Sequence, residues 1–470
     1  MDKSVDILSD KLKGINPSAF FFLGIGGIGM SALARYVSSR GFTVAGYDLT
    51  ASSITDSLRQ EGIDVVYDER IVCVQDKFLD PKQVVVVYTP AVPEQQEQYK
   101  YFREHGFCIL KRSELLGYIT RPMRTLAVAG THGKTTTSTM LAHLMYQSEV
   151  GCNAFLGGIS NNYETNLLLS ADSNYAVVEA DEYDRSFLRL SPFMAVITSV
   201  EPDHLDIYGD EAHYREAFEE FSSLIKHGGA LVMKKVLPIR PQLADNVRLY
   251  TYSAREEADF YADNIVIEDG CIKFDFHTPN SVISEVRLGI PVPYNVENAV
   301  AAMAMAWLNQ VSDDELRMGI ASYSGVHRRF NIHVNNSQYT YIDDYAHHPT
   351  EIRTAIMSAR KIYPSRRLIG IFQPHLYTRT RDFADEFGAV LSMLDKVILL
   401  PIYPARELPI EGVDSEMLLD KITIADKHLF TKEQLLDYLT TSESGVYMTI
   451  GAGDIDRLVV PITKIIRSRN

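Results

Sequence analysis

Residues Thr125–Met145 read TLAVAGTHGKTTTSTMLAHLM, and this stretch decides the fold. It opens on a short apolar run that suits a buried strand. It turns at GTHGKTT (Gly130–Thr136) and continues into a run with helical spacing. A strand, a Gly-rich turn and a helix in that order make a phosphate loop. The backbone N–H groups of Gly130, Thr131, His132 and Gly133 cradle phosphate at the helix N-terminus, where anions are favoured. Lys134 neutralises phosphate charge, the Thr135 hydroxyl binds Mg²⁺, and Thr136 follows in the same loop. The general pattern has a glycine five places before Gly133. This chain has Val128 there, so the match is to a shorter GTxGKT form. The stretch predicts ATP binding.

The same grammar recurs on both sides. Upstream, AFFFLGIGGIGMSALARYV (Ala19–Val37) is again a strand, a Gly-rich turn and an amphipathic helix, and the strand TVAGYD follows. VVVVYT (Val84–Thr89) is apolar and β-branched without alternation, as a parallel strand buried on both faces should be. Downstream, YAVVEA and MAVITSV are further buried strands. A third α/β run starts near Tyr339 with YTYIDDY, RLIGIFQP and KVILLPI. Strands alternating with helices imply parallel sheets covered on both faces. Boundaries are expected near Pro122 and Val326, giving domains over 1–122, 123–325 and 326–470. RPMR (Arg121–Arg124) is the expected linker, and residues 254–290 read as an antiparallel appendage on the middle domain.

Length and composition agree with a multidomain enzyme. A chain of 470 residues suggests about three domains. Lys plus Arg is 46 and Asp plus Glu is 61, a net charge of −15, which argues against a nucleic-acid binder. No apolar run approaches the roughly 18–20 residues that span a bilayer. The start, MDKSVDILSDKLKG, lacks the pattern of a secretory leader. Cys73, Cys108, Cys152 and Cys271 form no CxxC, so neither a disulfide framework nor a zinc site is expected. The expectation is a reduced, cytoplasmic protein, a monomer or dimer, with no membrane or nucleic-acid partner.

Three groups of residues carry candidate chemistry. Gly24, Gly26 and Gly29, with Gly27 between them, form GxGGxG after a strand, and Asp48 ends the next strand 19 residues after Gly29. Such a loop fits a dinucleotide such as NAD, another nucleotide diphosphate, or no ligand at all. VVEADEYD places Glu179, Asp181 and Glu182 at a strand end. VEPDHLD places Glu201, Asp203, His204 and Asp206 at another. Oxygen ligands near a phosphate loop suit Mg²⁺, although Asp203 reads equally well as a helix N-cap. HRRF (His327–Phe330), DDYAHHP (Asp343–Pro349) and QPHLYTRT (Gln373–Thr380) gather Arg, Asp, Tyr and His at the expected domain boundary and at strand ends of the third run. Arg329 and Arg379 suit phosphate or carboxylate.

The ordered set GTHGKTT, EADE, EPDHLD, YNVENA, HRRF and DDYAHHP resembles the Mur ligase family of peptidoglycan precursor synthesis. The resemblance spans essentially the whole chain. GIGGIGMSALA, FQPHLYTRTRD, PIYPARELPIEGVDS and GAGDI resemble its alanine-adding members. It implies an α/β protein of three domains. The first is Rossmann-like and binds the UDP moiety, so Gly24, Gly26, Gly27, Gly29 and Asp48 hold uridine diphosphate rather than NAD. The central domain is a phosphate-loop ATPase with a parallel sheet. The third is Rossmann-like and binds the amino acid. The implied activity is ATP-dependent ligation of L-alanine to UDP-N-acetylmuramate, with ATP and Mg²⁺ or Mn²⁺.

Carried over by position, Thr135, Glu179 and His204 hold metal, and Asn295 and Asn298 lie near adenine. Arg329 contacts phosphate and Asp344 the ATP ribose. Tyr345, His375 and Arg379 line the amino-acid pocket, and His347 and His348 position the amine or accept its proton. The chain departs from the family at Tyr294, where His is frequent, and at Leu376, where a basic residue is usual. It has Phe218 and Glu219, and no lysine before Lys226, in the region where several members carry a carbamylated lysine. The tripeptide-recycling member shares GTHGKTTT and EADEYD, but FQPHLYTRT argues against it. A nicotinamide-dependent oxidoreductase leaves the phosphate loop unexplained. A binding module without chemistry does not account for Lys134, Thr135, Glu179, His204, Arg329 and Asp344 together.

Overall fold

The computed structural model describes residues 16–268, 271–405 and 407–469. The start of the chain and Arg406, within PIYPARELPIEGVDS, lie outside the described residues. The first sheet contains β1 (Ala19–Leu23), β2 (Thr43–Tyr47), β3 (Asp64–Val66), β4 (Val84–Tyr88) and β5 (Cys108–Lys111), in the order β3-β2-β1-β4-β5. Every pairing is parallel. Successive side chains of a strand face opposite ways. Phe20, Phe22, Val85 and Val87 therefore enter one apolar layer, and Phe21, Leu23, Val84 and Val86 the other. That double covering explains why β1 and β4 are apolar without alternation.

The second sheet has ten strands: β6 (Arg124–Ala129), β7 (Asn153–Ser160), β8 (Thr165–Leu168), β9 (Tyr175–Glu179), β10 (Met194–Ile197), β11 (Ala230–Lys234), β12 (Arg248–Ser253), β13 (Phe260–Glu268), β14 (Cys271–His277) and β15 (Val282–Leu288). Their order is β15-β14-β13-β12-β11-β10-β6-β9-β7-β8. Residues 254–290, expected as an appendage on the middle domain, supply the outer strands of this sheet. β12 pairs in parallel with β13 at Tyr252 and Phe260, and β14 and β15 extend the order outward. β6 is flanked in parallel by β10 and β9. Val128, at the place of the missing phosphate-loop glycine, is a fully buried β6 residue in register with Glu179 and Val196.

The third sheet contains β16 (Asn331–Asn335), β17 (Tyr339–Asp344), β18 (Leu368–Phe372), β19 (Lys396–Leu399), β20 (Lys427–Leu429) and β21 (Gly445–Ile450), in the order β16-β17-β21-β18-β19-β20. β16 is antiparallel to β17 and the other pairings are parallel. Ile342, Phe372, Leu399 and Met448 face one layer, and Tyr341, Ile371, Ile398 and Tyr447 the other.

The chain forms two compact units. Of the described residues, the first holds 16–265, 273–289 and 296–324, and the second holds those within 266–272, 290–295 and 325–469. Within the first unit, the first and second sheets share a core. Tyr36 meets Phe155 with ring centroids 5.3 Å apart. Buried Asn166 of β8 donates to Ile28 O at 2.6 Å and to Ser31 Oγ at 2.9 Å, and accepts from Arg35 Nη1 at 2.6 Å. The expected linker is a short turn between the helix Arg112–Thr120 and β6. Lys226 Nζ donates to its carbonyls at Arg121 (2.8 Å) and Met123 (3.3 Å), so this lysine holds the joint.

His143, on the helix Lys134–Tyr146, is buried, with Tyr163 OH at 2.8 Å from Nδ1 and Ser322 Oγ at 2.9 Å from Nε2. Burial lowers its pKa to about 4. The folded chain keeps the ring neutral while the unfolded chain takes up a proton below about 6.5. Stability is therefore full above pH 6.5 and falls as the pH drops toward 4, by about 2–3 kcal/mol from this group. In His143→Gln that part of the pH dependence should disappear. Urea melts of both chains at pH 7, 5.5 and 4.5 measure it, and parallel slopes would refute the assignment.

Candidate functional site

The first unit brings three motifs to one edge, because β9, β6 and β10 lie side by side in parallel. β6 delivers the phosphate loop, β9 ends at Glu179, and β10 leads into Thr198–His204. Ligands of open α/β sheets collect at such carboxyl ends. In the loop, Gly130 and Gly133 take φ of +136° and +82°, and Lys134 opens the helix Lys134–Tyr146. Thr135 and Thr136 follow in its first turn, and Thr135 is buried.

The segment after β10 fixes the loop from behind. Thr198 Oγ1 donates to His132 O at 2.5 Å, and His132 N donates to Ser199 Oγ at 2.8 Å. The Thr131 hydroxyl donates to Glu201 O at 2.7 Å. Sequence reasoning missed Thr198 and Ser199. The available signal was their place directly after the apolar strand MAVI. Asn298 also reaches the loop helix, accepting from Thr137 Oγ1 at 3.2 Å.

Lys134 Nζ donates to Gly130 O at 2.7 Å and Thr131 O at 3.3 Å, and pairs with the Glu182 carboxylate at 2.7–2.8 Å. Burial alone would lower its pKa, yet Glu182, with Glu179 and Asp181, holds it above the ordinary value. Glu182 is 2% exposed. Burial pushes its carboxyl up to about 7 against the pull of Lys134.

The other carboxylates of EADEYD are held by different elements. Asp181 Oδ2 meets Arg112 Nη2 at 3.0 Å, and Asp184 Oδ2 meets Lys111 Nζ at 2.8 Å. Asp184 and Arg185 both adopt left-handed φ, 54° and 52°, a costly conformation for such residues. Glu179 lies over Gly157 of β7, where any Cβ would overlap its Oε2. His204 also has positive φ (52°). Its N–H donates to Asp203 Oδ1 at 2.8 Å, and its ring packs edge-on against Tyr183 at 5.1 Å. Asp203 thus turns to the residue beside it, ahead of the short helix Leu205–Tyr208.

Among the described residues no group of three or more His, Cys, Asp and Glu is arranged to hold a metal ion. The elements that carry Thr135, Glu179 and His204 leave neighbouring strands β6, β9 and β10, and Mg²⁺, which keeps water and phosphate ligands, does not need a ready-made protein cage.

The first glycine loop follows β1. Gly26 N donates to Asp48 Oδ2 at 2.8 Å, so the acidic residue closes the loop from the end of β2. Gly24 N donates to Tyr47 O at 2.8 Å, and Gly27 N to Gly24 O at 3.2 Å. Arg112 Nη1 lies 3.0 Å from where a Cβ of Gly29 would stand. The residue that holds Asp181 therefore also lies against the helix Ile28–Ser39 near its N-terminus. Arg112 carried no role in the sequence reading, because nothing local marks a residue that links two sheets.

In the second unit, Arg328, Arg329, Tyr345, His347, His375 and Arg379 come together. The Arg328 and Arg329 guanidinium carbons sit 5.1 and 5.3 Å from the Tyr345 ring centroid. Tyr345 meets His347 at 5.4 Å, His347 meets His375 at 6.3 Å, and His375 stacks on Tyr403 at 5.8 Å. Arg379 Nη1 is 3.4 Å from His375 Nδ1. Burial lowers the His347 pKa, Glu351 opposes this, and Arg379 adds to it.

Asp344 accepts from Phe330 N at 2.9 Å and from Ala346 N at 2.7 Å, tying HRRF to DDYAHHP. Burial raises its pKa to about 6 despite Arg329. His348 caps the helix Pro349–Ile362 and meets Phe383 at 4.8 Å, apart from the His347–His375 series. Asn295 is buried at the start of the helix Asn295–Leu308, its N–H on Val292 O at 2.9 Å. Leu376 takes φ of 71° immediately before the short helix Tyr377–Asp382, whose Thr378 is bound by Glu407. Tyr403 and Glu407 lie in PIYPARELPIEGVDS, which carried the resemblance without a role for either residue; both come from a loop separate from the motifs they touch.

Family models match the chain in three places: Mur ligase family, catalytic domain, over 20–124; Mur ligase middle domain over 128–306; and Mur ligase, glutamate ligase domain, over 328–453. A UDP-N-acetylmuramate–L-alanine ligase from Parabacteroides distasonis is 55% identical over 96% of this chain and 97% of its own. The chain belongs to the Mur ligase family. A Cytophaga hutchinsonii protein of the same name is 42% identical over 96% and 97%. The crystal structure of a UDP-N-acetylmuramate–alanine ligase from Thermotoga maritima superposes with a TM-score of 0.81 at 27% identity, covering 96% of this chain and all of that one. A murein peptide ligase from Psychrobacter arcticus, at 22% identity and a TM-score of 0.68, covers 95% and 99% and shares the fold. As a Mur ligase, the chain is similar to alanine ligases over nearly its whole length.

Gly157 is the inconspicuous support of the Glu179 carboxylate. Gly157→Ala should lower turnover about 10–100-fold, with partial recovery at raised Mg²⁺, as expected when a group behind a metal ligand is displaced. Mg²⁺ titrations of initial rate test this. Loss of turnover with an unchanged Mg²⁺ dependence would remove Glu179 from the metal site.

Proposed function

We propose that the chain is an ATP-dependent ligase joining L-alanine to the lactyl carboxylate of UDP-N-acetylmuramate. The observation that carries this reading is its 55% identity, over nearly full length, to proteins named for that reaction. The convergence of the phosphate loop, EADE and the Thr198–His204 segment at the carboxyl ends of three neighbouring strands supports it. The glycine loop after β1 holds the uridine diphosphate, and the loop after β6 holds the triphosphate of ATP. Thr135, Glu179 and His204 hold Mg²⁺, which supplies charge neutralisation to the phosphates when bound. Tyr345, His375 and Arg379 hold the amino acid.

The chemistry follows from the leaving group. A carboxylate does not react with an amine in water, because its oxygen cannot depart as oxide. Attack of a carboxylate oxygen on the γ-phosphorus breaks the bond to ADP and forms an acyl phosphate. The alanine nitrogen then attacks the acyl carbon, the C–O bond to phosphate breaks, and inorganic phosphate leaves as the amide forms. The chain contributes position and fixed charge. Lys134 stabilises the phosphoryl oxygens. His347, whose pKa burial lowers, orients the amine or accepts one of its protons. A cytoplasmic setting for the reaction is part of this proposal.

Phosphate release with MgATP and UDP-N-acetylmuramate tests this, with L-alanine, L-serine, glycine or the stem tripeptide as second substrate. Release that requires the sugar nucleotide and is fastest with L-alanine is expected. Release only with the tripeptide would reassign the chain to recycling. Lys134→Ala should reduce turnover by at least about 100-fold while UDP-N-acetylmuramate still binds. Arg379→Ala should raise the amino-acid KM about 10–100-fold and the ATP KM far less; equal effects would take Arg379 out of the amino-acid pocket.

A further inference from the structure

The ammonium of Lys134 has three N–H donors. The oxygens within reach are Gly130 O at 2.7 Å, Thr131 O at 3.3 Å and the two Glu182 carboxylate oxygens at 2.7–2.8 Å. Protein oxygens can thus occupy the whole donor set. A phosphate that reaches Lys134 must displace one of them. The two carbonyls belong to the backbone of the loop and are held by Thr198, Ser199 and Glu201 through their neighbours. The one acceptor that is not loop backbone is the Glu182 side chain.

Glu182 is well placed to return. Its backbone carbonyl accepts from Tyr208 OH at 2.6 Å. Its neighbours Asp181 and Asp184 are anchored to Arg112 and Lys111.

We propose that Glu182 is a positioning residue that competes with nucleotide phosphate for Lys134, so that ATP binding exchanges one anionic partner of the buried ammonium for another. This rests on the nucleotide reading of the loop given above. The exchange favours ligands with concentrated negative charge at the β- and γ-phosphates. A weakly charged anion gains too little from Lys134 to offset the loss of Glu182. The pair therefore acts as a threshold for admission to the loop, and it keeps Lys134 aligned on the loop carbonyls until phosphate takes over.

The test is the affinity of the full chain for Mg²⁺ and a non-hydrolysable ATP analogue, by titration calorimetry. Four forms are compared: unaltered, Glu182→Gln, Lys134→Met, and both substitutions together. Removing the competitor should tighten analogue binding about 10-fold in Glu182→Gln. It should make little difference in the Lys134→Met background, where there is nothing to compete for. Glu182→Asp, which retracts the carboxylate but keeps its charge, should tighten binding by a smaller factor, and it serves if the Gln form does not fold. Unchanged or weaker binding in both Glu182 variants would overturn the proposal. So would equal tightening with and without Lys134, which would indicate simple repulsion between Glu182 and phosphate. Failure of the unaltered chain to bind the analogue at all would instead remove the nucleotide reading on which the proposal stands.

Discussion

A buried ammonium group must have anionic or strongly polar company, because taking it out of water unpaired is prohibitive. In the first unit that constraint falls on Lys134, and much of the surrounding structure answers it. Glu182 supplies the charge and the loop carbonyls supply the remaining acceptors. Glu182 can stand there because β9 runs beside β6, so that EADEYD leaves the sheet next to the phosphate loop. The strained turn at Asp184 and Arg185 keeps the carboxylates facing different partners. Lys111 and Arg112, from the end of the first sheet, close that arrangement.

The second unit uses a different device. Its cluster rests on rings and guanidinium groups, and its central carboxylate, Asp344, is spent on backbone N–H groups. Two loops that carry unlike side chains are thereby locked to one another, and the Arg329, Tyr345 and His347 side chains are presented by a rigid frame. Burial, with Arg379 and Arg329 nearby, disfavours the charged form of His347, and Glu351 opposes them.

The parallel strands were legible because burial on both faces leaves an apolar run that local reading detects, as in Val84–Tyr88 and Leu126–Ala129. The phosphate loop was legible because its chemistry is contiguous. Residues 254–290 were legible as short strands added to the middle domain, because their burial alternates, as in Cys271–His277; that they continue the sheet of β6 was not, since their neighbours in it leave no mark in their own spacing. At the site, Glu179, His204, Tyr345 and His375 stood out by residue type and strand-end position. Gly157, Thr198, Ser199 and Arg112 did not. Each matters through what packs against it from another element, and spacing along the chain carries no record of that.

Asn166 has a consequence for how the molecule can be taken apart. Its amide grips the first turn of the helix that follows the Gly24–Gly29 loop, and Arg35, which it accepts from, is also paired with Glu61. Tyr36 on that helix is roofed by Phe155 from the neighbouring sheet. Cut free at Pro122, the leading fragment would carry bare aromatic surface and an arginine short of one acceptor. The glycine-loop module is thus a tenant of the central sheet. Recombination between relatives that swaps it alone, without strands β7 and β8, would graft a mismatched face onto a buried seam.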